Sequence, residues 1–237
     1  MKNRMMMSWM MLPLFAMGAL EINFEGEEYR AGNRLWGQGP ESARWQGSAE
    51  PLFSVVDGVG VEDSAAVRVT KRNREHDAAL LRPDVSVHLP GFRPERSVVA
   101  YRLSVKMEGR GNDGICSRIR FADGTVQLEL YNEGKLFFMD GNTPEQMHRS
   151  VRTESRAEFQ ATPGEFFEII ALVDYGSKTY TLTVNGVDQN GGNPVGMRIT
   201  DETPGKAVDV WIAAWMQSHS DWQNFVFDNV GIRLVKP

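Results

Sequence analysis

Cysteine is nearly absent: the 237 residues carry one, Cys116. No intramolecular disulfide and no cysteine-based zinc site can therefore form, so the fold must rest on an apolar core, which a chain of this length can bury unaided. Blocks of like charge are missing as well. With 26 Lys+Arg against 31 Asp+Glu the formal net charge is -5, and no run of five like charges occurs, which argues against a broad DNA- or RNA-binding footprint. There is no phosphate-binding glycine loop, no glycine-rich dinucleotide fingerprint that opens a helix and no pair of histidines at metal-ligand spacing. His76, His88, His148 and His219 all sit in polar, loop-like contexts and read as solvated. Beyond residue 20 no long hydrophobic run remains, and no segment sustains a 3.6-residue apolar period. Helix is expected at most as a turn or two near Asn142 to Met147.

The amino terminus has a different character. Lys2 and Arg4 precede an apolar stretch from Met5 to Leu20 that ends in the small residues Ala16, Gly18 and Ala19. Charge, apolar core and small residues in that order make a secretory signal peptide, with cleavage expected after Gly18. The stretch falls short of the roughly 20 apolar residues that span a bilayer comfortably. An uncleaved anchor is the alternative. The expected organisation is a signal peptide at residues 1–18 and one domain at 19–237, exported to the periplasm, cell surface or medium and free of the membrane once cleaved.

Period-two alternation dominates from about residue 98. Tyr101, Leu103, Val105 and Met107 alternate with Arg102, Ser104 and Lys106, the pattern of a half-buried strand. Ile115 to Phe121 turns at Asp123-Gly124 into Val126 to Tyr131, and Asn132 to Lys135 turns that strand into Leu136 to Met139, giving a three-stranded meander. A polar stretch over residues 140–160 reads as a loop. Phe166 to Asp174 and Thr179 to Val184 form a further pair ending at Asn185-Gly186, and Val208 to Met216 and Phe225 to Val235 supply two late strands. Cys116, inside a strand pattern, reads as a small buried side chain and not as a nucleophile. Ten to thirteen short strands with no linker and no repeat predict an all-β, two-sheet antiparallel sandwich of jelly-roll type.

Three segments carry a resemblance. Ile22-Asn23-Phe24-Glu25-Gly26, Tyr29 to Gly32, Leu35-Trp36-Gly37-Gln38-Gly39 and Trp45 resemble the opening of secreted bacterial jelly-roll domains. Phe166 to Tyr175 followed by Lys178-Thr179-Tyr180-Thr181-Leu182-Thr183-Val184-Asn185-Gly186 is similar to a laminin-G-like hairpin, and Phe227-Asp228-Asn229-Val230-Gly231-Ile232 to its closing strand. The resemblance is to the concanavalin A-like lectin/glucanase superfamily, over essentially the whole of residues 19–237. A galactose-binding-like jelly roll is the alternative fold. The resemblance implies lectins, glycan-binding modules, hydrolases or lyases, so the function must come from the residues.

A hydrolase of this fold needs two carboxylates across the scissile bond, delivered as E-x-D-x-x-E on one strand. That string is absent; in the nearest, Glu129 to Glu133, Tyr131 occupies the middle position. The lyase signatures, a Gln-x-His strand and a Tyr-x-Lys-x-Gly-x-Tyr strand, are not found either: Gln-x-His occurs at Gln146 to His148 and Gln217 to His219, both in stretches that read as loops. Glycan binding needs aromatic rings for sugar C–H faces and planar polar groups for hydroxyls. Arg102, Arg118, Arg120, Gln127, Glu129 and Tyr131 would supply these from one sheet face, and Trp222, in a polar segment, is a further contact candidate. Trp211 and Trp215 read as core. The one metal site the sequence offers is a structural Ca²⁺ held by Glu25 and Asp228, should the first and last strands be neighbours. The expected role is a non-catalytic carbohydrate-binding module with a glycan or polysaccharide as partner. A structural or adhesion module without a small ligand, and a lyase or hydrolase of the same fold, are the alternatives.

Overall fold

The computed structural model describes residues 18–47, 52–70, 77–109, 114–141, 147–151, 159–202, 204–214 and 224–237. In chain order its strands are β1 (Ala19–Ile22), β2 (Trp45–Gly47), β3 (Phe53–Val56), β4 (Ala66–Val69), β5 (Asp77–Leu81), β6 (Val98–Met107), β7 (Ile115–Phe121), β8 (Val126–Tyr131), β9 (Leu136–Asp140), β10 (Met147–Ser150), β11 (Phe166–Asp174), β12 (Thr179–Val184), β13 (Val187–Asp188), β14 (Val195–Gly196), β15 (Val210–Ala214) and β16 (Phe225–Lys236). Among the described residues one short α-helix, α1 (Val85–His88), and two 3-10 turns (Glu41–Ala43 and Val61–Asp63) interrupt them; α1 is capped by Asp84, whose carboxylate accepts from the Ser86 backbone N–H. His88 is half-buried there, its Nε2 lying 2.8 Å from Ser42 Oγ. The expected turn near Asn142 to Met147 falls almost wholly outside the described residues, and β10 occupies part of what read as a polar loop.

The strands form two antiparallel sheets. The nine-stranded sheet runs β13-β12-β11-β6-β16-β4-β3, with β14 on β12 and β1 on β16; the seven-stranded sheet runs β10-β9-β8-β7-β15-β5-β2. The result is the jelly-roll sandwich that the alternation predicts. In β12, where Thr alternates with Tyr180, Leu182 and Val184, burial follows the alternation directly, and β11, almost wholly apolar, shows the same period of half-buried and buried positions. The Asn185-Gly186 turn joins β12 to β13 with φ of 51° and 77°, the positive pair that a right-twisted two-residue connection requires.

The inner faces close on one apolar core. At one end Phe24, Trp45, Phe53 and Phe227 pack ring against ring, with Phe227 5.7 Å from Trp45 and 5.8 Å from Phe24. Trp45 belongs to the seven-stranded sheet and Phe53 and Phe227 to the other, so this cluster bolts the layers together. Further along, Tyr101 on β6 stacks at 5.1 Å on Phe121 of β7 and shares a hydrogen bond with the Tyr175 hydroxyl, which donates to the Ala207 carbonyl. Burial pushes both phenols up. Cys116 is fully buried and its thiol is likewise pushed up by burial, which fits an inert strand residue.

Candidate functional site

The hairpin at Asp123-Gly124 sets the register of β7 on β8. Arg118 faces Glu129, and Arg120 faces Gln127. Because these residues alternate with the buried Ile119, Phe121, Leu128 and Leu130, their side chains leave the sheet on the side away from the core. There they interlock. Arg118 Nε donates to Glu129 Oε1 at 2.8 Å, Gln127 Nε2 donates to the same oxygen at 3.1 Å, and Arg120 Nε donates to Gln127 Oε1 at 2.8 Å. A flat, solvent-washed sheet would leave such groups exposed, yet Glu129 is only 2% and Gln127 3% accessible.

Aromatic rings stand on both sides of this chain of polar groups. On β15, Trp211 lies opposite Arg120 in the register and carries that guanidinium 4.4 Å above its ring. At the other side Tyr131, at the end of β8, packs against Phe137 of β9 with ring centroids 5.0 Å apart. Burial, and then the charge of Glu129, pushes the Tyr131 phenol up. Burial pulls Arg120 down, with Arg118 and Arg198 adding to the effect and Glu129 opposing it. Four of the residues expected at this site, Arg118, Arg120, Glu129 and Tyr131, thus lie on one face with Gln127.

Three expectations are corrected. Arg102 is not on this face: β6 belongs to the other sheet, where Arg102 pairs with Glu168 of β11 at 2.5 Å. Trp211 is not core. In β15 the residues that point inward are Val210, Ile212 and Ala214, so Trp211 turns outward to meet Arg120. Every residue from Val210 to Trp215 is apolar, so alternation could not tell the two faces apart; the same ambiguity concealed Phe137 within Leu136 to Met139. Trp222 and Trp215 lie outside the described residues, as do His76 and His219.

The third correction concerns the proposed calcium pair. First and last strands do pair, with Ala19 opposite Arg233 and Ile22 opposite Val230. Asp228, however, is fully buried and its oxygens are occupied by donors. Oδ2 accepts from Val61 N–H at 2.9 Å and Ser64 Oγ at 3.0 Å, and Oδ1 from Asn229 N–H at 2.7 Å. N–H and O–H dipoles aimed at a carboxylate do for it what a cation would do, so the group clamps the 60–64 loop, and Glu25 stays exposed. Gly60 is part of the fit, since a Cβ there would lie 2.7 Å from Asp228 Oδ2. Among the described residues no group of three or more His, Cys, Asp or Glu side chains could hold a metal ion.

Burial raises the Asp228 carboxyl above the usual 3.8, the three hydrogen bonds pulling the other way and the Glu25 charge adding to the rise. The folded chain then holds a proton that the unfolded chain has already released. Stability from this group is fully present below the ordinary Asp value and is lost as pH rises through the higher folded value. Asp228→Asn, which turns one acceptor into a donor facing N–H groups, should cost about 1–3 kcal/mol. The deficit should be larger near pH ~4 than at pH ~7. Urea unfolding of both proteins at the two pH values checks this; a deficit that grows toward neutral pH would contradict the burial argument.

A second surface feature lies in the segment that carries the opening resemblance. Trp36, 46% accessible, stands in a groove of about 560 Å³ with Glu28, Arg30, Asn33 and Gln38, and the Arg34 guanidinium lies 4.6 Å over its ring.

No family model matches the sequence, and no curated protein matches it. Solved structures do resemble it. The catalytic domain of a glycoside hydrolase family 131 protein from Coprinopsis cinerea superposes with a TM-score of 0.52 at 14% identity, over 83% of this chain and 85% of that one. A botulinum neurotoxin type C structure, whose cell entry depends on two ganglioside molecules, gives 0.54 at 6% identity over 92% of this chain and 48% of its own. Trypanosoma rangeli sialidase gives 0.51 at 9% identity, over 94% of this chain and 31% of the sialidase. The chain thus spans about half of the toxin structure and about a third of the sialidase. At these identities the likeness is one of fold: a jelly-roll sandwich.

Proposed function

We propose that this chain is an exported, laminin-G-like carbohydrate-binding module whose ligand lies across the outer face of the seven-stranded sheet. One observation carries the reading: the relay Arg120, Gln127, Glu129 and Arg118 is internally hydrogen-bonded, with the two arginines half-buried over the buried Gln127 and Glu129, Trp211 at one side and Tyr131 and Phe137 at the other. Planar polar groups fixed in place bind hydroxyls without a large ordering cost, and the flanking rings offer faces to sugar C–H groups. The solved sandwiches of similar architecture include a glycoside hydrolase and a ganglioside-dependent toxin, which is in keeping with a carbohydrate ligand. Export rests on the charge, apolar core and small residues of positions 1–18.

Pull-down on insoluble polysaccharides together with a glycan array tests the reading. The parent protein should be retained on at least one polymer, and Trp211→Ala and Tyr131→Ala should each weaken that retention about tenfold, roughly 1.4 kcal/mol. Absence of all binding would favour a structural or adhesion module. Unchanged binding in both variants would move the ligand off this face and leave Trp222 or the Trp36 groove to be tried.

A further inference from the structure

The register of β7 on β8 sets two arginines opposite one carboxylate and one amide. Arg118 meets Glu129; Arg120, two residues on and on the same face, meets Gln127. Elsewhere Arg68 of β4 pairs with Glu108, Arg102 of β6 with Glu168, Arg149 of β10 with Asp140 and Arg82, just past β5, with Asp209. Arg120 has no such partner among the described residues. Among the described residues its contacts are the Nε bond to Gln127 Oε1 and the ring of Trp211 beneath it. Both fix the plane of the guanidinium and neither uses the edge formed by its two terminal nitrogens. That edge is the fork that receives a carboxylate or sulfate through two parallel hydrogen bonds.

A half-buried cation held flat beside Arg118, within electrostatic reach of Arg198 and answered locally by a single carboxylate, is a costly thing for a fold to keep. Its surroundings run against the chain as a whole, whose formal charge is -5. Diffuse attraction of polyanions by the protein is therefore weak, and anion capture has to be local. On the open-face reading above, we infer that the ligand is an acidic polysaccharide, one carboxylate or sulfate of which is received by the terminal nitrogens of Arg120. Gln127 at the position opposite Arg120 is the selective element: a Glu there would neutralise the fork, whereas the amide orients it and leaves the charge for the ligand.

Affinity electrophoresis of the full chain tests this with a matched series of dextran, carboxymethyl-dextran and dextran sulfate, supplemented by alginate, and with polyglutamate as a polyanion without sugar. Retardation should be at least tenfold stronger for a charged polysaccharide than for dextran, and weak for polyglutamate. The carboxymethyl and sulfate arms distinguish the two sources of charge. Arg120→Gln should abolish the preference while leaving the fold intact, since no carboxylate is orphaned by it; Arg120→Lys, a point charge without the fork, should fall between. Equal retardation by neutral and charged dextrans, or a preference that survives Arg120→Gln, overturns the inference. If neutral glycans bind and are lost in Trp211→Ala, the face remains a glycan site and only its acidic specificity falls. Charged polymers that stay bound in both Trp211→Ala and Arg120→Gln, or no binding of any polymer, sink both readings.

Discussion

Replacing Phe227 with alanine should cost about 3–5 kcal/mol of stability, the range for removing a fully buried aromatic from a packed core. The ring is wholly inaccessible and touches Phe24, Trp45 and Phe53, drawn from both sheets. No neighbouring side chain can collapse into the space without opening the sandwich, because each is itself held against the opposite layer. Two losses add together: the transfer energy of the ring and the contacts stranded around the hole. Urea unfolding should show the midpoint falling with little change in slope. Val87→Ala, at a side chain 58% accessible, serves as the control and should shift stability by less than about 0.5 kcal/mol. A loss below about 1 kcal/mol for Phe227→Ala would mean that this end of the sandwich is not packed as described.

Arg118→Ala should be nearly as damaging, at about 3 kcal/mol. On a plain solvated sheet face the replacement of Arg118 would be close to neutral. Instead its side chain is 17% accessible and that of Glu129 only 3%. Removing the guanidinium strips the Glu129 carboxylate of its ion-pair partner in a site where water cannot replace it. The double replacement Arg118→Met with Glu129→Leu removes both charges and should recover most of the loss. Thermal and urea unfolding of the single and double variants measure this directly. Loss of ligand binding in Arg118→Ala alone would therefore confuse folding with recognition, which is why Trp211, Tyr131 and Arg120 carry the binding tests.

The strands that could be read in advance are those whose two faces differ chemically. In β7, β8 and β12 polar and apolar residues alternate, and the expected bounds match the observed ones closely, as do those of β11, an almost wholly apolar run. The first hundred residues gave no comparable signal, because β1 to β5 are only three to five residues long and sit between loops. Site residues followed the same logic. Arg118, Arg120, Gln127 and Glu129 could be placed together since one hairpin fixes their register, whereas Arg102 precedes a change of sheet that alternation does not encode. Trp211 and Phe137 were hidden because their strands are apolar on both faces, and a face is then decided by the neighbours a strand acquires on folding.

The pairing of β1 with β16 brings together residues from opposite ends of the described chain. β16 is also the strand on which β6 and β4 lie, so the middle of the nine-stranded sheet is the last part to be synthesised. Until it arrives, β6 and β4 each present an open hydrogen-bonding edge and Phe24, Trp45 and Phe53 lack the ring that unites them. A growing chain cannot complete this body piece by piece from its amino terminus. Closure is a late event with a long loop to draw in, which makes folding slow and leaves the nascent domain pliable and adhesive for as long as β16 is withheld.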